Sequence, residues 1–430
     1  MNNTKAIILG IIATAAVIHA DTWTLDACLK QAKEKSLSLE SAKLREQQSE
    51  INVKQAEVGR YPTLSASIQN TLFDHPFVDD EDHYRLSVGI SGSYTLWDGG
   101  SRSLNVEASR LNREATKFET KQTERNIQES VLNAYMNLLA ASENLRTAHA
   151  SVELSTAEFE HFGKLFEAGS ITKKDLTQSQ SNVLQKQVAE LSAQLSVSTA
   201  KTTLRQLLEL PDGEEFEVAA PELAIESPDS IEALPSLAEL KGTIKEAHPG
   251  LKSDSIAIRA AKKSTEVAGK GSSISVTLGA NSSTGLQAWE SGAYGDQLKK
   301  GWQNSISLGI NIPIIDGGAT TNKVLLAQVN ETQSRLSLQE TAKSLENSVE
   351  KLYVNAVSAD LQWKAAMLQV QAETEALQVA EEQRNAGALT YTDYLTQKNN
   401  LEKAQVTLVN AKYSSLLARK ILDLYQGKLD

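Results

Sequence analysis

The chain has 430 residues, room for two or three ordinary globular domains, yet only 5% are aromatic and there are just eight prolines and one cysteine. Ala, Leu, Ser, Gln, Glu and Lys dominate, which is the composition of long, mostly polar helices. A formal charge of −11 with no basic stripe excludes nucleic acid as a partner, and the single Cys28 excludes an intramolecular disulfide.

Lys5 precedes an apolar run, Ala6 to Ile18, that ends at His19-Ala20-Asp21. This pattern predicts a secretory signal over 1–20 cleaved after Ala20, a retained anchor being the other reading. Cys28 lies well beyond that run, and Asp26 stands where a lipidation box needs a small residue, so no lipid anchor is expected. No later segment approaches the ~20 apolar residues of a membrane helix. If the chain enters a membrane, it enters as a β-barrel, which leaves no backbone group unpaired in lipid.

Leu25, Cys28, Leu29, Ala32, Leu37, Leu39, Ala42 and Leu44 predict a helix from Leu25 to about Val58, stopped by Pro62. Strict alternation follows. Leu64, Ala66 and Ile68 alternate with Thr63, Ser65 and Ser67. After an acidic interval, Tyr84, Leu86, Val88, Ile90, Gly92, Tyr94 and Leu96 alternate with Arg85, Ser and Thr. Period two with one apolar and one small polar face predicts a β-hairpin over about 62–97. Each strand has about ten residues, enough to cross a bilayer when tilted. The competing reading is a small soluble β-sandwich.

Asp98-Gly99-Gly100 then makes a strand-to-helix turn, with Ser101 or Asp98 able to cap the next helix. From about 101 to 210 the pattern is a long helical hairpin broken at Gly169. Its first arm would span on the order of 100 Å at ~1.5 Å per residue, a length found in coiled coils. Residues 211–235 hold four of the eight prolines and many acids. They read as a linker, either crossing the outside of the helices or disordered.

From 236 to 430 the first unit, 21–210, is repeated: a helix, a hairpin over about 272–315, Asp316-Gly317-Gly318, and a helical hairpin over about 319–426 broken at Gly387. Asp98 and Asp316 stand 218 residues apart, as do Gly169 and Gly387, Asp175 and Asp393, and Tyr135 and Tyr353. Holding register without a gap over so many residues marks a tandem duplication of one structural unit. Four strands cannot close a barrel, because the smallest membrane barrels use about eight. Several chains must therefore share one, and three copies would supply twelve strands.

Leu25-Asp26-Ala27-Cys28, Tyr61-Pro62 before the first strand, the doubled Asp-Gly-Gly turns and the paired Ala-Gly…Asp turns resemble the TolC family of outer-membrane efflux and secretion channels. The resemblance covers essentially the whole chain after the signal. It implies a mainly α fold with a β-barrel portion, a homotrimer whose twelve-stranded outer-membrane barrel continues into a long periplasmic α-helical coiled-coil barrel. It also implies an export duct in a tripartite efflux pump or type I secretion system. The partners would then be a periplasmic adaptor (membrane fusion) protein, an inner-membrane ABC or RND-type transporter, and outer-membrane lipid. A soluble periplasmic coiled-coil adaptor or scaffold is the rival reading.

By the same resemblance, Gly169, Ser170, Thr172, Gly387 and Ala388 form tip turns that touch the adaptor, while Asp175, Asp393, Arg384, Lys174 and Thr390 line a periplasmic aperture. The second tip departs from the family pattern, with Leu389 for a basic residue, Arg384 for a tyrosine and Thr396 for an acid. Thr172…Asp175 and Thr390…Asp393 also have the form of helix capping boxes, so capping and gating both remain open for the two acids. Lys173, Lys174 and Arg384 are candidate partners for them across helices. The histidines show no metal-ligand spacing, and no nucleophile–base pair or phosphate loop appears. No enzyme, cofactor or metal is expected.

Overall fold

The computed structural model describes residues 22–73, 83–211, 216–219, 233–287 and 293–428. The signal reading over 1–20 lies outside them, as does most of the 211–235 linker. The chain runs β1 (Thr22–Trp23), α1 (Leu25–Lys35), α2 (Leu37–Val58), β2 (Thr63–Phe73), β3 (His83–Trp97), α3 (Ser101–Glu167) and α4 (Lys173–Leu207). It continues through β4 (Glu217–Val218), α5 (Leu237–Ala247), α6 (Pro249–Gly269), β5 (Ser275–Gln287), α7 (Tyr294–Lys300), β6 (Gln303–Asn311), α8 (Ala319–Asn385) and α9 (Tyr391–Tyr425). Two compact units emerge, and α3 and α8 contribute residues to both.

One unit comprises 37–126, 235–351 and 425–430 and contains the sheet. Its strands lie in the order β2-β3-β5-β6, all antiparallel, so the two hairpins join through β3 and β5. The register puts Leu64, Ile68, Val88, Ile90, Leu278, Ile306 and Leu308 on one face, and Ser, Thr, Gly, Asn and Gln on the other. That apolar face is bare: Leu64 is 79% exposed and Ile306 83%. Leu111 and Ala115 of α3 pack on Ile256 and Ala260 of α6, where Ser253 Oγ also donates to the Ala115 carbonyl (3.1 Å).

Three details differ from the sequence reading. The first helix is two helices, interrupted at Ser36, whose extended ψ of 121° breaks the turn. The interval before β6 contains α7. And β6 ends at Asn311, although alternation continues to Ile314. Pro313 has no N–H to give a ladder, and Ile314 and Ile315 stand 89% exposed.

The other unit comprises 22–36, the described part of 127–234, and 352–424. Leu132, Tyr135, Met136, Leu204 and Leu208 are buried in it, as are Trp363, Leu416 and Leu422. Part of the linker is fastened here: β4 pairs parallel with β1. Phe216 is buried under Lys201 and Arg205, whose charges lie 5.3 and 6.0 Å from its ring. The Tyr135 hydroxyl donates to the carbonyls of Ala219 and Trp23. Cys28 is fully buried in α1, and burial pushes its thiol up to about 12, which keeps it unreactive.

Candidate aperture site at the helical-hairpin turns

The two helical-hairpin turns are built alike. Gly169 takes φ +72° and Gly387 φ +71°, left-handed values that residues with a Cβ resist. Around the first, Gly169 N–H reaches the Phe166 carbonyl (2.9 Å) and Ser170 N–H the Leu165 carbonyl (2.8 Å). Around the second, Gly387 reaches Arg384 (3.0 Å) and Ala388 reaches Gln383 (2.8 Å). Both are Schellman closures of a helix C-terminus.

The next helix starts the same way in each turn. Thr172 Oγ1 accepts the Asp175 N–H (3.2 Å), and the Asp175 carboxylate accepts from the Thr172 hydroxyl (2.6 Å) and N–H (3.3 Å). Thr390 and Asp393 repeat the hydroxyl–carboxylate bond (2.6 Å) and the N–H bond (3.2 Å). Both acids therefore hold helix N-termini within one chain. Gly169, Ser170, Thr172, Lys174, Gly387, Ala388, Thr390 and Asp393 are all exposed.

Arg384 does not pair with either acid. It reaches back to Glu158 of α3, Nη1 to Oε1 at 3.3 Å, and Lys398 of α9 takes the other oxygen at 2.8 Å. The three side chains are 28, 10 and 12% exposed. The guanidinium also stands 4.4 Å from the Tyr394 ring centroid, 5.4 Å from Phe162 and 5.7 Å from Tyr391. Phe162 packs on Tyr391 at 4.6 Å. One carboxylate with two cations and three rings thus ties the ends of α3 and α8 to the start of α9, beside the turns.

Burial pushes the Tyr391 phenol up to about 12, with Glu158 adding to it. Its hydroxyl and the buried Ser179 Oγ close no hydrogen bond of good geometry among the described residues. Deeper in the bundle, Lys186 donates to Asn399 (2.8 Å) and to Glu402, and Arg419 and Ser415 hold Asp360.

Glu158, Phe162 and Lys398 were invisible in the sequence. Arg384 is 226 residues from Glu158, and Lys398 is 240 from it. The one local hint is Phe162, four residues after Glu158 on the same helical face.

The strand-to-helix turns lie in the sheet-bearing unit. Asp98 accepts from Gly100 N–H (3.1 Å), Arg102 N–H (3.0 Å) and Arg102 Nε (2.9 Å), and Asp316 accepts from Gly318 N–H (2.9 Å) and Thr320 N–H (2.8 Å). Gly99 and Gly100, like Gly317 and Gly318, have positive φ. Aspartate, not Ser101, is the cap. Burial pushes the Asp98 carboxyl up, but Arg102 and the Gly100 N–H outweigh it and leave the group below the ordinary carboxylate value. Bonds from Thr320 and then the Gly318 N–H hold Asp316 low as well. Among the described residues no His/Cys/Asp/Glu group is arranged to hold a metal, and no helix is long and apolar enough to cross a membrane.

Long paired helices and a four-stranded antiparallel sheet with a bare apolar face define a mainly helical protein with a small sheet. The sequence profile of the outer membrane efflux protein family matches residues 28–209 and 242–428, and the chain belongs to that family. It is 25% identical over 264 residues to the outer membrane efflux protein BepC of Brucella suis, and 26% over 281 residues to the alkaline protease secretion protein AprF of Pseudomonas aeruginosa. These alignments take in 61 and 64% of this chain but only 55% of each relative, so it spans about half the length of the curated relatives it matches. Among solved structures, the channel CusC superposes with a TM-score of 0.81 at 18% identity, covering 94% of this chain and 91% of that one. The fold is that of the TolC-like channels.

Proposed function

We propose that the chain is one third of a trimeric export duct, with twelve strands in the outer membrane and helices extending into the periplasm, and that it is the outer component of a tripartite efflux pump or type I secretion system. The observation that carries this reading is an unfinished junction. Within the chain, β3 of the first hairpin pairs with β5 of the second, and the Asp98 turn packs on Ser273 just before β5: a Cβ on Gly99 would meet Ser273 at 2.5 Å. The equivalent junction from the second hairpin has no occupant among the described residues, where β6 is an edge strand and a Cβ on Gly317 meets nothing within 4 Å. The first hairpin of another copy supplies what is missing, β2 against β6 and Tyr61-Pro62 against Gly317. Repeating that step three times closes the sheet without an edge in lipid.

The helices carry matching unfinished faces. Leu37, Leu44, Ile51 and Val58 recur every seven residues along α2, and Leu184, Val188, Leu191 and Leu195 at heptad spacing along α4, all exposed. Such stripes are seams for neighbouring helices. In this duct the tandem repeats each give one hairpin and one helical pair. The turns at Gly169 and Gly387 face the adaptor, and Asp175, Asp393, Thr390, Lys174 and Arg384 surround the aperture. Glu158 holds the aperture's α8 strut closed through Arg384.

The test is covalent. Tyr61→Cys with Ile315→Cys should give a three-chain disulfide ladder on oxidation, which neither single variant gives, because the native Cys28 is buried. Monomer only, with the chain in the soluble periplasmic fraction, would restore the adaptor reading.

A further inference from the structure

The apolar face of the sheet has an upper limit, and α7 stands on it. The outer end is the one opposite the strand ends that run into α2 and α3. Toward that end, the Ser282 hydroxyl donates to Asn304 Oδ1 (2.7 Å), and Trp302 Nε1 donates to the same oxygen (3.2 Å). On the same face, toward the other edge of the sheet, the Tyr84 hydroxyl donates to Asn70 Oδ1 (2.9 Å). These polar rows lie on the face that carries Leu64, Ile68, Ile90, Ile306 and Leu308, toward its outer margin, with exposed Leu72 one pair beyond Asn70.

The rows are not level. Asn70 is in register with Leu86 and through it with Leu286, four residues above Ser282 on β5. Four residues of ~3.4 Å across two or three strand spacings of ~4.8 Å is a slant on the order of 45°. That is the tilt of membrane strands.

Above the Ser282 row β6 has ended while β5 runs on, and α7 takes the vacated edge. Gln297 is buried and its Oε1 accepts the Gln287 N–H (2.9 Å), while the Thr284 hydroxyl donates to the Leu298 carbonyl (2.5 Å). Leu286 is buried at the same place. A helix fastened by a buried glutamine is a built element. It leaves Tyr294, Asp296, Lys299 and Lys300 exposed, with Trp302 exposed two residues after its end. From Ile310 upward the outward series reads Ile310, Leu308, Ile306, Asn304, Trp302 and then the lysines: apolar, polar, aromatic, cationic. Interfacial aromatics and cations follow this order at a bilayer surface.

We propose that α7 and Trp302 bind the phosphorylated headgroup of an outer-leaflet glycolipid, Lys299 and Lys300 taking the phosphate and Trp302 and Tyr294 the boundary beneath it. The site rests on the outer-membrane reading above. Lysines in a last helical turn also suit the helix dipole, so the test must read lipid and not stability. The full chain in mild detergent is incubated with a bis-phosphorylated lipid A or its dephosphorylated form, and retained lipid is counted by native mass spectrometry.

The wild type should retain the phosphorylated form at least fivefold over the other, and K299Q/K300Q should lose that preference. W302A should weaken retention of both. No preference in the wild type, or an unchanged one in K299Q/K300Q, overturns the site. Insertion into lipid vesicles separates the two readings. A chain that enters vesicles but ignores the phosphate overturns this inference alone, and one that enters none overturns the membrane reading beneath it.

Discussion

The chain contains the same turn twice, in two different states. At Asp98-Gly99-Gly100 the loop is half-buried, Gly99 abuts Ser273, and Arg102 bridges the aspartate to the carbonyls of Thr95 (2.5 Å) and Gly59 (3.3 Å). At Asp316-Gly317-Gly318 the hydrogen bonds from the aspartate persist, but Asp316 and Gly317 are exposed and follow two bare isoleucines. The backbone geometry is shared, but Arg102 supplies a cation to Asp98 where Thr320 gives Asp316 only neutral donors, and the surroundings differ as well. The first turn has its neighbour inside the chain. At the second, a Cβ on Gly317 meets nothing within 4 Å, the place that a second copy fills in the proposed assembly.

The largest effect should come from glycine. Gly99→Ala imposes a left-handed alanine and a clash with Ser273 together, about 2–4 kcal/mol of destabilisation. Gly317→Ala imposes only the backbone cost in a single chain, about 1 kcal/mol. Urea unfolding of monomer and assembled oligomer measures both. If the assembly reading holds, the two variants converge in the oligomer and diverge in the monomer. Equal values in the monomer would erase the contrast.

A second pair of positions sharpens it from the opposite side. The hairpin turns at Gly169 and Gly387 obey the repeat, but the cluster beside them does not. Counting back or forward 218 residues, Glu158 answers to Ala376, Arg384 to Phe166, Lys398 to Gln180 and Tyr391 to Lys173. Capping recurs in both hairpins because every helix needs it, whereas the ion cluster occurs beside the Gly387 turn with no counterpart at the equivalent positions. Glu158→Gln leaves Arg384 and Lys398 largely buried without their carboxylate. We expect about 2–3 kcal/mol of destabilisation, and higher open probability in planar bilayers. Ala376→Glu on the other repeat should do neither. Unchanged conductance for Glu158→Gln would make the cluster purely structural.

The legible part of this protein was the part enforced locally. Alternation in β2, β3, β5 and β6 follows from a pleat that turns each side chain to the opposite face. Gly169 and Gly387 could be placed because positive φ selects glycine. What could not be read depends on partners far along the chain. Periodicity ran through Ser36, where the backbone leaves the helix, and through Ile312 and Ile314, where the missing N–H of Pro313 ends the ladder. Arg384 was expected to seek an acid at the tip. Asp175 and Asp393 were already committed to Thr172 and Thr390, and Glu158 was the carboxylate within reach. No spacing rule carries information across more than two hundred residues.

Acid should separate the two strand-to-helix turns next. Both aspartates have folded-state pKa values below the ordinary carboxylate value, so each contributes stability above about pH 4 that is lost as pH falls through the lowered pKa. Asp98→Asn should remove about 1 kcal/mol at pH 7 and flatten the acid limb of the unfolding profile. Asp316→Asn should have a smaller effect, because its group is in open solvent. If assembly buries that second turn, the oligomer should gain an acid limb from Asp316 that stays smaller than the Asp98 one, since Thr320 brings no charge where Arg102 does. A steeper limb for Asp316 in the monomer would contradict the asymmetry.

The smallest expected change in stability is at Asp175 and Asp393, and it is the one that divides capping from gating. Asparagine accepts at an N-terminus almost as well as aspartate, so either substitution should cost about half a kcal/mol through weakened bonds to the Thr hydroxyl and the helix dipole. As caps the two acids share the threonine hydroxyl bond, Asp175 taking the Thr172 N–H as well. As aperture residues they are not equivalent: Asp393 lies on the repeat that carries Arg384, Tyr391 and Tyr394, and three symmetry copies of it would draw cations to a constriction. Reversal potentials in a salt gradient should therefore move toward neutrality for Asp393→Asn and stay put for Asp175→Asn. Equal shifts would place both acids at the constriction and void the asymmetry. No shift in either would leave them as caps, with cation preference to be sought elsewhere in the duct.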